Sequence, residues 1–226
     1  MPLQRTVWLL ITSLSVGSFM LSGSTRQVTA APQTQQSTPN TQAQQSASDS
    51  QTPQETPSIQ PLQKAPDVVY VPTPEAVVEK MLELAKVTKD DVLYDLGSGD
   101  GRIPITAAQK FGTQGVGIEI RPDLVQEARK KAQQAGVSDR VQFLQQDLFQ
   151  TDFSKATVVT LYLLPQLNLK LRPTLFKQLK PGTRIVSHDF NMGDWKPDQV
   201  VQVQGSGRTH TVYFWTIPES LPANLR

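Results

Sequence analysis

Short apolar runs and longer amphipathic stretches alternate along the chain from Thr73 onward. The runs that indicate buried strands lie at 92–95, 115–119, 141–144, 156–161 and 184–187. The stretches that predict helices lie at 73–85, 103–110, 122–135 and 166–179. This alternation predicts an α/β fold with a parallel sheet and helices on both of its faces. Two further strands, 200–203 and 211–217, flank Gly205-Ser206-Gly207 and predict a closing antiparallel hairpin.

Local sequence also predicts how two of the helices begin or bend. Thr73-Pro74-Glu75 combines a residue that caps helix N-termini, a proline for the first turn and an acidic side chain, so Thr73 is the expected N-cap. In the 166–179 stretch, Pro173 has no backbone N–H to donate. We expect the helix to break or kink there.

The first 63 residues differ from the rest of the chain. Residues 1–26 carry a short basic start and an apolar run interrupted by serine and threonine, which is typical of a signal peptide, with an uncleaved membrane anchor as the alternative. Residues 27–63 are rich in Gln, Ser, Thr and Pro and predict a disordered linker. Residues 64–226 then form one domain of ordinary size.

Charge and cysteine content exclude several functional classes. The 22 Lys and Arg against 20 Asp and Glu leave a net charge of only +2, which does not favour a nucleic acid partner. The chain has no cysteine, so disulfides, thiol catalysis and cysteine-ligated zinc are excluded. No pair of histidines or carboxylates shows metal-ligand spacing, and we expect no metal.

The segment Val92 to Arg102 predicts a buried strand, a glycine-rich turn and the start of a helix. Such a corner brings backbone N–H groups to a ligand. Its spacing, Asp95-x-Gly97-x-Gly99-x-Gly101, differs from the dinucleotide pattern G-x-G-x-x-G. It resembles motif I of the class I S-adenosylmethionine methyltransferases. The resemblance implies a Rossmann-like seven-stranded sheet, mostly parallel, with S-adenosylmethionine bound by these four residues.

Two acidic residues at predicted strand ends extend the expected cofactor site. Glu119 follows Gly97 by 22 residues, close to the offset at which an acid binds ribose hydroxyls in dinucleotide folds. Asp147 ends the next strand, where the family uses an acid to accept a hydrogen bond from the adenine amino group. Leu148 and Phe149 are expected to sandwich the ring. A strand-end acid is also common without such a role.

A narrower resemblance, covering about Val69 to Trp195, is to small protein-lysine methyltransferases, including the type that acts on the ATP synthase c subunit. It rests on motif I and on the segments 71–73 and 182–187. It implies a protein substrate, which could be a membrane protein, and a segment that closes over the cofactor, carried here by Tyr70 and Thr73. Enzymes that methylate planar nitrogens carry Asn/Asp-Pro-Pro-Tyr after the fourth strand. This chain has Leu161-Tyr162-Leu163-Leu164-Pro165 instead, which disfavours such substrates.

Two residues are candidates for catalysis. Tyr162 would line an aromatic, partly dry slot that disfavours the charged form of a lysine, although a core aromatic is an equal alternative. His188 titrates near neutrality and is a candidate general base, although a lone histidine is more often structural. We expect a monomer. A small-molecule methyltransferase and a non-catalytic cofactor-binding module at the cell envelope remain alternatives, because an exported domain would lack an obvious supply of S-adenosylmethionine.

Overall fold

The computed structural model describes residues 69–221 and Leu225. The helices are α1 (Glu75–Leu84), α2 (Arg102–Phe111), α3 (Pro122–Gln134) and α4 (Pro165–Gln178). The strands are β1 (Val92–Leu96), β2 (Gln114–Glu119), β3 (Val141–Gln145), β4 (Val158–Leu161), β5 (Arg184–His188), β6 (Gln199–Gly205) and β7 (Arg208–Thr216). A short 3₁₀ turn, Leu148–Gln150, follows β3.

All seven strands belong to one sheet, in the order β3-β2-β1-β4-β5-β7-β6. The first five strands pair in parallel, whereas β7 pairs antiparallel with both β5 and β6. Strands β1 to β3 are added toward one edge of the sheet, and β4 then pairs with the other side of β1. The carboxyl ends of β1 and β4 therefore lie side by side at the switch point where open α/β sheets bind ligands. The predicted Rossmann-like sheet with a closing antiparallel hairpin is confirmed.

Helices cover both faces of the sheet because successive residues of the central strands point in opposite directions. Val158 and Val186 belong to an apolar cluster with α1 and α2. Their neighbours Val159 and Ile185 belong to a second cluster that includes Leu171 of α4. A third cluster joins α2 to α3. Central strands with apolar side chains on both faces explain the continuous apolar runs in the sequence.

The predicted N-cap at Thr73 and the predicted break at Pro173 are wrong, and a kink at Pro173 stays a prediction. Helix α1 begins after Pro74, and the Thr73 side chain makes no capping bond; its hydroxyl pairs instead with His188 Nδ1, 3.2 Å away. Helix α4 continues through Pro173. Pro173 lies on the exposed face of α4, so water can bond the carbonyl group that a proline leaves free.

The predicted signal or anchor (1–26) and linker (27–63) lie outside the described residues, as does the start of the 64–226 domain. Between residues 69 and 221, none of the helices combines the length and apolarity needed to cross a bilayer.

Candidate active site

A cleft opens along the carboxyl ends of β1, β2 and β3. The space within it is about 920 Å³, counting the solvent at its open mouth. Its walls include a carboxylate from each of the three strands or the residues that follow them, Asp95, Glu119 and Asp147. The structure therefore brings together three of the predicted cofactor residues, which are far apart in the sequence.

The glycine-rich turn adopts backbone conformations that other residues resist. Gly97, Gly99 and Gly101 all have positive φ, between 53° and 83°. A Cβ on Gly99 would lie 2.3 Å from the Tyr70 ring, and one on Gly101 would lie 2.5 Å from the Phe143 ring. Gly97 lines the cleft, Gly99 leaves room for the segment that covers it, and Gly101 leaves room for helix and sheet to pack.

Asp95 is buried at the end of β1, beside Thr160 of the neighbouring strand. The pKa of the Asp95 carboxyl is raised to about 7, mainly by burial; the nearby carboxylates of Asp100 and Glu119 add to the effect, and the hydrogen bond from Thr160 Oγ1, 2.8 Å long, opposes it. A cationic group bound in the cleft would stabilise ionised Asp95. Thr160 was not predicted, because only strand register reveals it.

Asp100, inside the glycine motif, is the second residue that the sequence analysis missed. Burial alone would raise the pKa of Asp100, but hydrogen bonds from Arg102 and Lys131 outweigh it and hold the pKa below its usual range. Lys131 Nζ lies 2.6 Å and Arg102 Nη2 2.8 Å from Asp100 Oδ2. The sequence signal that could have identified Asp100 is its position as a charged residue between two glycines of the motif.

The ion pair between Asp100 and Arg102 also holds residues 69–73 over the cleft. Arg102 Nη1 donates to the Thr73 carbonyl at 2.9 Å, and the Tyr70 hydroxyl interacts electrostatically with Asp100 and Arg102. Burial, the largest effect, raises the pKa of Tyr70, so its phenol stays neutral at pH 7. Tyr70 and Thr73 both line the cleft, in the position predicted for a covering segment.

Glu119 ends β2 and is nearly buried. Its Oε2 accepts from the Gly99 N–H and its Oε1 from the Arg121 N–H, each at 2.9 Å. Each carboxylate oxygen can accept a second hydrogen bond. Glu119 can therefore brace the glycine turn and still accept from a pair of hydroxyls.

Asp147 follows β3 and caps the 3₁₀ turn, its Oδ1 accepting from the Phe149 N–H at 3.0 Å. Leu148 and Phe149 line the cleft beside it, and Lys170 Nζ lies 4.0 Å from the centre of the Phe149 ring. Asp147 therefore both caps the 3₁₀ turn and lines the cleft. Its predicted bond to adenine stays a prediction.

Tyr162 lines the cleft just after β4, whereas His188 lies behind it. The centroids of the two rings are 3.8 Å apart and their planes are tilted by 30°. His188 is fully buried, and burial lowers its pKa to about 4 despite the nearby Asp189 carboxylate. His188 Nδ1 faces Thr73, so no ring nitrogen points to the cleft. The structure therefore gives Tyr162 access to a substrate but does not support direct proton abstraction by His188.

His188 also meets a second histidine that sequence spacing did not connect to it. His188 Nε2 lies 2.8 Å from His210 Nδ1, and Asp189 Oδ2 lies 3.3 and 3.4 Å from those two atoms. The antiparallel pairing of β5 with β7 brings them together. These three side chains place possible metal-ligand atoms within 4.8 Å of one another, a grouping that sequence spacing does not report because it forms across the sheet. The grouping does not by itself test the expectation that the protein holds no metal.

Comparison with known proteins identifies the family. The ANTKMT methyltransferase domain family matches residues 95–199, which include motif I, both strand-end acids and Tyr162. A protein-lysine N-methyltransferase of Saccharolobus islandicus is 49% identical over 153 residues, covering 67% of this chain and 95% of that protein. The chain belongs to the ANTKMT methyltransferase family. The class I methyltransferase resemblance predicted from motif I is confirmed.

Two other relatives of this methyltransferase bear on its cofactor and substrate. The ATP synthase c-subunit lysine N-methyltransferase of Xenopus laevis is 34% identical over 58% of this chain, which spans 57% of that relative. A Salinibacter ruber structure described as an RNA methyltransferase in complex with S-adenosyl-L-homocysteine is 63% identical, with a TM-score of 0.66. The match covers 69% of this methyltransferase and 99% of that chain. The cofactor is S-adenosylmethionine.

The cleft of the methyltransferase fits this cofactor. Ser98 Oγ is buried, lines the cleft and has no hydrogen-bond partner among the described residues, so it is available to a ligand. Asp95 is suited to a cationic amino group, Glu119 to ribose hydroxyls and Asp147 to an amino donor. When bound, S-adenosylmethionine supplies an electrophilic methyl group, and the chain supplies its orientation.

Proposed function

We propose that this methyltransferase transfers a methyl group from S-adenosylmethionine to a lysine side chain of a protein. The observation that carries the substrate class is the segment after β4, where Tyr162 and Leu163 line the cleft beside Asp95 and Gly97. The polar motif that grips planar nitrogens is absent from this position. An apolar, aromatic wall suits an alkyl amine, which must lose its proton before it attacks.

Tyr162 has the properties required of that wall. Burial raises the pKa of its hydroxyl, with the Asp189 carboxylate adding to the effect and Arg208 opposing it. The phenol therefore stays neutral at pH 7, and its oxygen can accept a hydrogen bond from a neutral amine. Because His188 is screened from the cleft, the proton of the lysine ammonium would leave to water before the methyl transfer.

The test is methyl transfer with isotope-labelled S-adenosylmethionine and two acceptors in parallel, ATP synthase c subunit and total RNA from the source organism. The RNA arm is included because of the Salinibacter ruber relative. We expect label on the protein, located by mass spectrometry on a lysine and abolished when that lysine is replaced by arginine. Label on RNA alone would overturn the proposal, as would transfer to small molecules alone.

Cofactor binding is measured separately by titration calorimetry on the wild type and on Asp95→Ala and Glu119→Ala. Both variants should bind S-adenosylmethionine at least tenfold more weakly, since each loses a charge-assisted hydrogen bond. Lys110→Ala is the matched control because Lys110 is exposed and pairs with Glu79 away from the central cleft. A folded wild type that fails to bind would favour the non-catalytic alternative.

For cellular location, we propose that residues 1–26 tether the chain to a membrane with the domain on the side where S-adenosylmethionine is made. This arrangement gives the domain its cofactor and access to membrane proteins, and a linker of residues 27–63 would provide reach. Protease accessibility in intact cells tests it. A domain found cleaved and outside the cytosol would contradict the tether.

A further inference from the structure

We propose that His188, His210 and Asp189 form a binding site for a divalent transition-metal ion of the zinc type, separate from the methyl-transfer site. The three donor atoms are His188 Nε2, His210 Nδ1 and Asp189 Oδ2. Imidazole nitrogen and carboxylate oxygen are common zinc ligands, and three protein ligands leave one position for water. The inference does not rest on the proposed substrate.

The distances among the donors fit one ion. They are 2.8, 3.3 and 3.4 Å. In a tetrahedral site with bonds of 2.0–2.1 Å, neighbouring donors lie about 3.3–3.4 Å apart. Two of the three separations already match, and a point about 2.05 Å from all three donors lies about 0.9 Å outside their plane. The remaining pair, the two histidine nitrogens, needs to open by about 0.5 Å.

Each ligand is also oriented by a second partner, as metal ligands usually are. His210 Nε2 lies 2.9 Å from the Gly205 carbonyl, which can only accept, so the proton resides there and Nδ1 keeps its lone pair. Asp189 Oδ1 accepts from the Thr211 N–H at 2.9 Å. His188 Nδ1 faces the Thr73 hydroxyl, whose oxygen can accept a hydrogen bond from a protonated Nδ1. With that tautomer, His188 Nε2 presents its lone pair to the ion.

The burial of the two histidines and the backbone conformation of Asp189 both support a metal site here. His188 and His210 are 0% and 3% exposed, so few water molecules compete for the donors. Asp189 has a φ of +59°, an uncommon conformation for a residue other than glycine. That conformation turns its carboxylate back toward both histidines. The ion would join the end of β5 to β7 and, through Thr73, to the segment that covers the cofactor cleft.

Arg208 competes with a metal ion for the Asp189 carboxylate. Its Nη2 lies 2.5 Å from the same Asp189 Oδ2, but the side chain is 52% exposed and can swing away. Without metal, His188 Nε2 carries the proton and donates a hydrogen bond to His210 Nδ1; metal binding would move the His188 proton to Nδ1. Removing Arg208 should therefore tighten metal binding, whereas a purely hydrogen-bonded pair would bind no metal in either form.

The experiment titrates Zn²⁺ into the tag-free, chelator-treated full-length protein by calorimetry. Co²⁺ serves as a spectroscopic probe of tetrahedral coordination. We expect one ion per chain, tetrahedral Co²⁺ absorption, and a roughly two- to fivefold tightening in Arg208→Ala. Asp189→Asn and His210→Ala should weaken binding at least tenfold. Circular dichroism checks that these variants are folded.

Arg208→Ala and Asp189→Asn keep the test decisive if His210→Ala does not fold, because both change groups at the edge of the cluster. Absence of stoichiometric binding in the wild type and in Arg208→Ala would overturn the proposal. Binding that survives in Asp189→Asn and His210→Ala would also overturn it. S-adenosylmethionine affinity, measured on the same samples, shows separately whether the cofactor site is intact.

Discussion

Replacement of Asp95 by asparagine should change how the stability of the protein depends on pH. Asp95 is 3% exposed at the end of β1, beside the cleft that it lines. Its pKa of about 7 compares with an ordinary value of 3.8. Asparagine is close in shape and can still accept the hydrogen bond from Thr160, but it cannot ionise.

The magnitude follows from the pKa. Between about pH 4 and 7 the folded state keeps a proton that the unfolded chain releases, so this carboxyl makes the protein less stable as pH rises. The stabilisation is fully present below pH 3.8 and lost above about 7. The difference of about 3 in pKa, at 1.36 kcal/mol each, amounts to about 4 kcal/mol.

The assay is urea unfolding of wild type and Asp95→Asn without cofactor, at several pH values between about 4 and 9. Other titrating groups contribute equally to both proteins, so the difference in free energy of unfolding isolates Asp95. We expect the variant to gain relative stability by up to about 1.4 kcal/mol per pH unit as pH rises to 7, and then no further. Thr160→Val is the control that removes the hydrogen bond but keeps the ionisable carboxyl.

Parallel stability profiles for wild type and Asp95→Asn would refute this reasoning. They would mean that Asp95 has an ordinary pKa in the folded protein and is not a neutral acid awaiting a cationic group.

The remaining predictions concern packing around the same motif. Gly99→Ala should weaken S-adenosylmethionine binding at least tenfold, because its Cβ displaces Tyr70 at the cleft, and should also cost about 1–2 kcal/mol of stability, because residue 99 has a positive φ; calorimetry measures the first effect and thermal unfolding the second. Gly101→Ala should instead destabilise the fold by about 2 kcal/mol or more, since its Cβ meets the buried Phe143 ring, and urea unfolding measures this. Leu171→Ala, fully buried under the sheet, should cost about 2–5 kcal/mol with cofactor affinity retained.

Local sequence was sufficient for the strands, most helix boundaries and the glycine turn. These features depend on residues near one another in the chain: apolar periodicity, and glycines where φ must be positive. The place of Glu119 at the end of a strand could be predicted in the same way, from its offset to the motif, and its bond to ribose hydroxyls stays a prediction. The predicted cap at Thr73 failed because the hydroxyl pairs with His188 of a distant strand. The predicted break at Pro173 failed because this proline lies on the exposed face of α4.

The tertiary structure decided which groups face each other. Asp95 meets Thr160 only through the register of β1 with β4. The burial of Asp95 within the folded protein is what raises the pKa of its carboxyl. The pairing of β5 with β7 placed His188 behind Tyr162 and against His210. It excluded His188 from the cleft and brought together three possible metal ligands, two histidines and Asp189. Sequence determined the elements because their propensities are local; pKa values, access to the cleft and ligand geometry depend on contacts between distant strands.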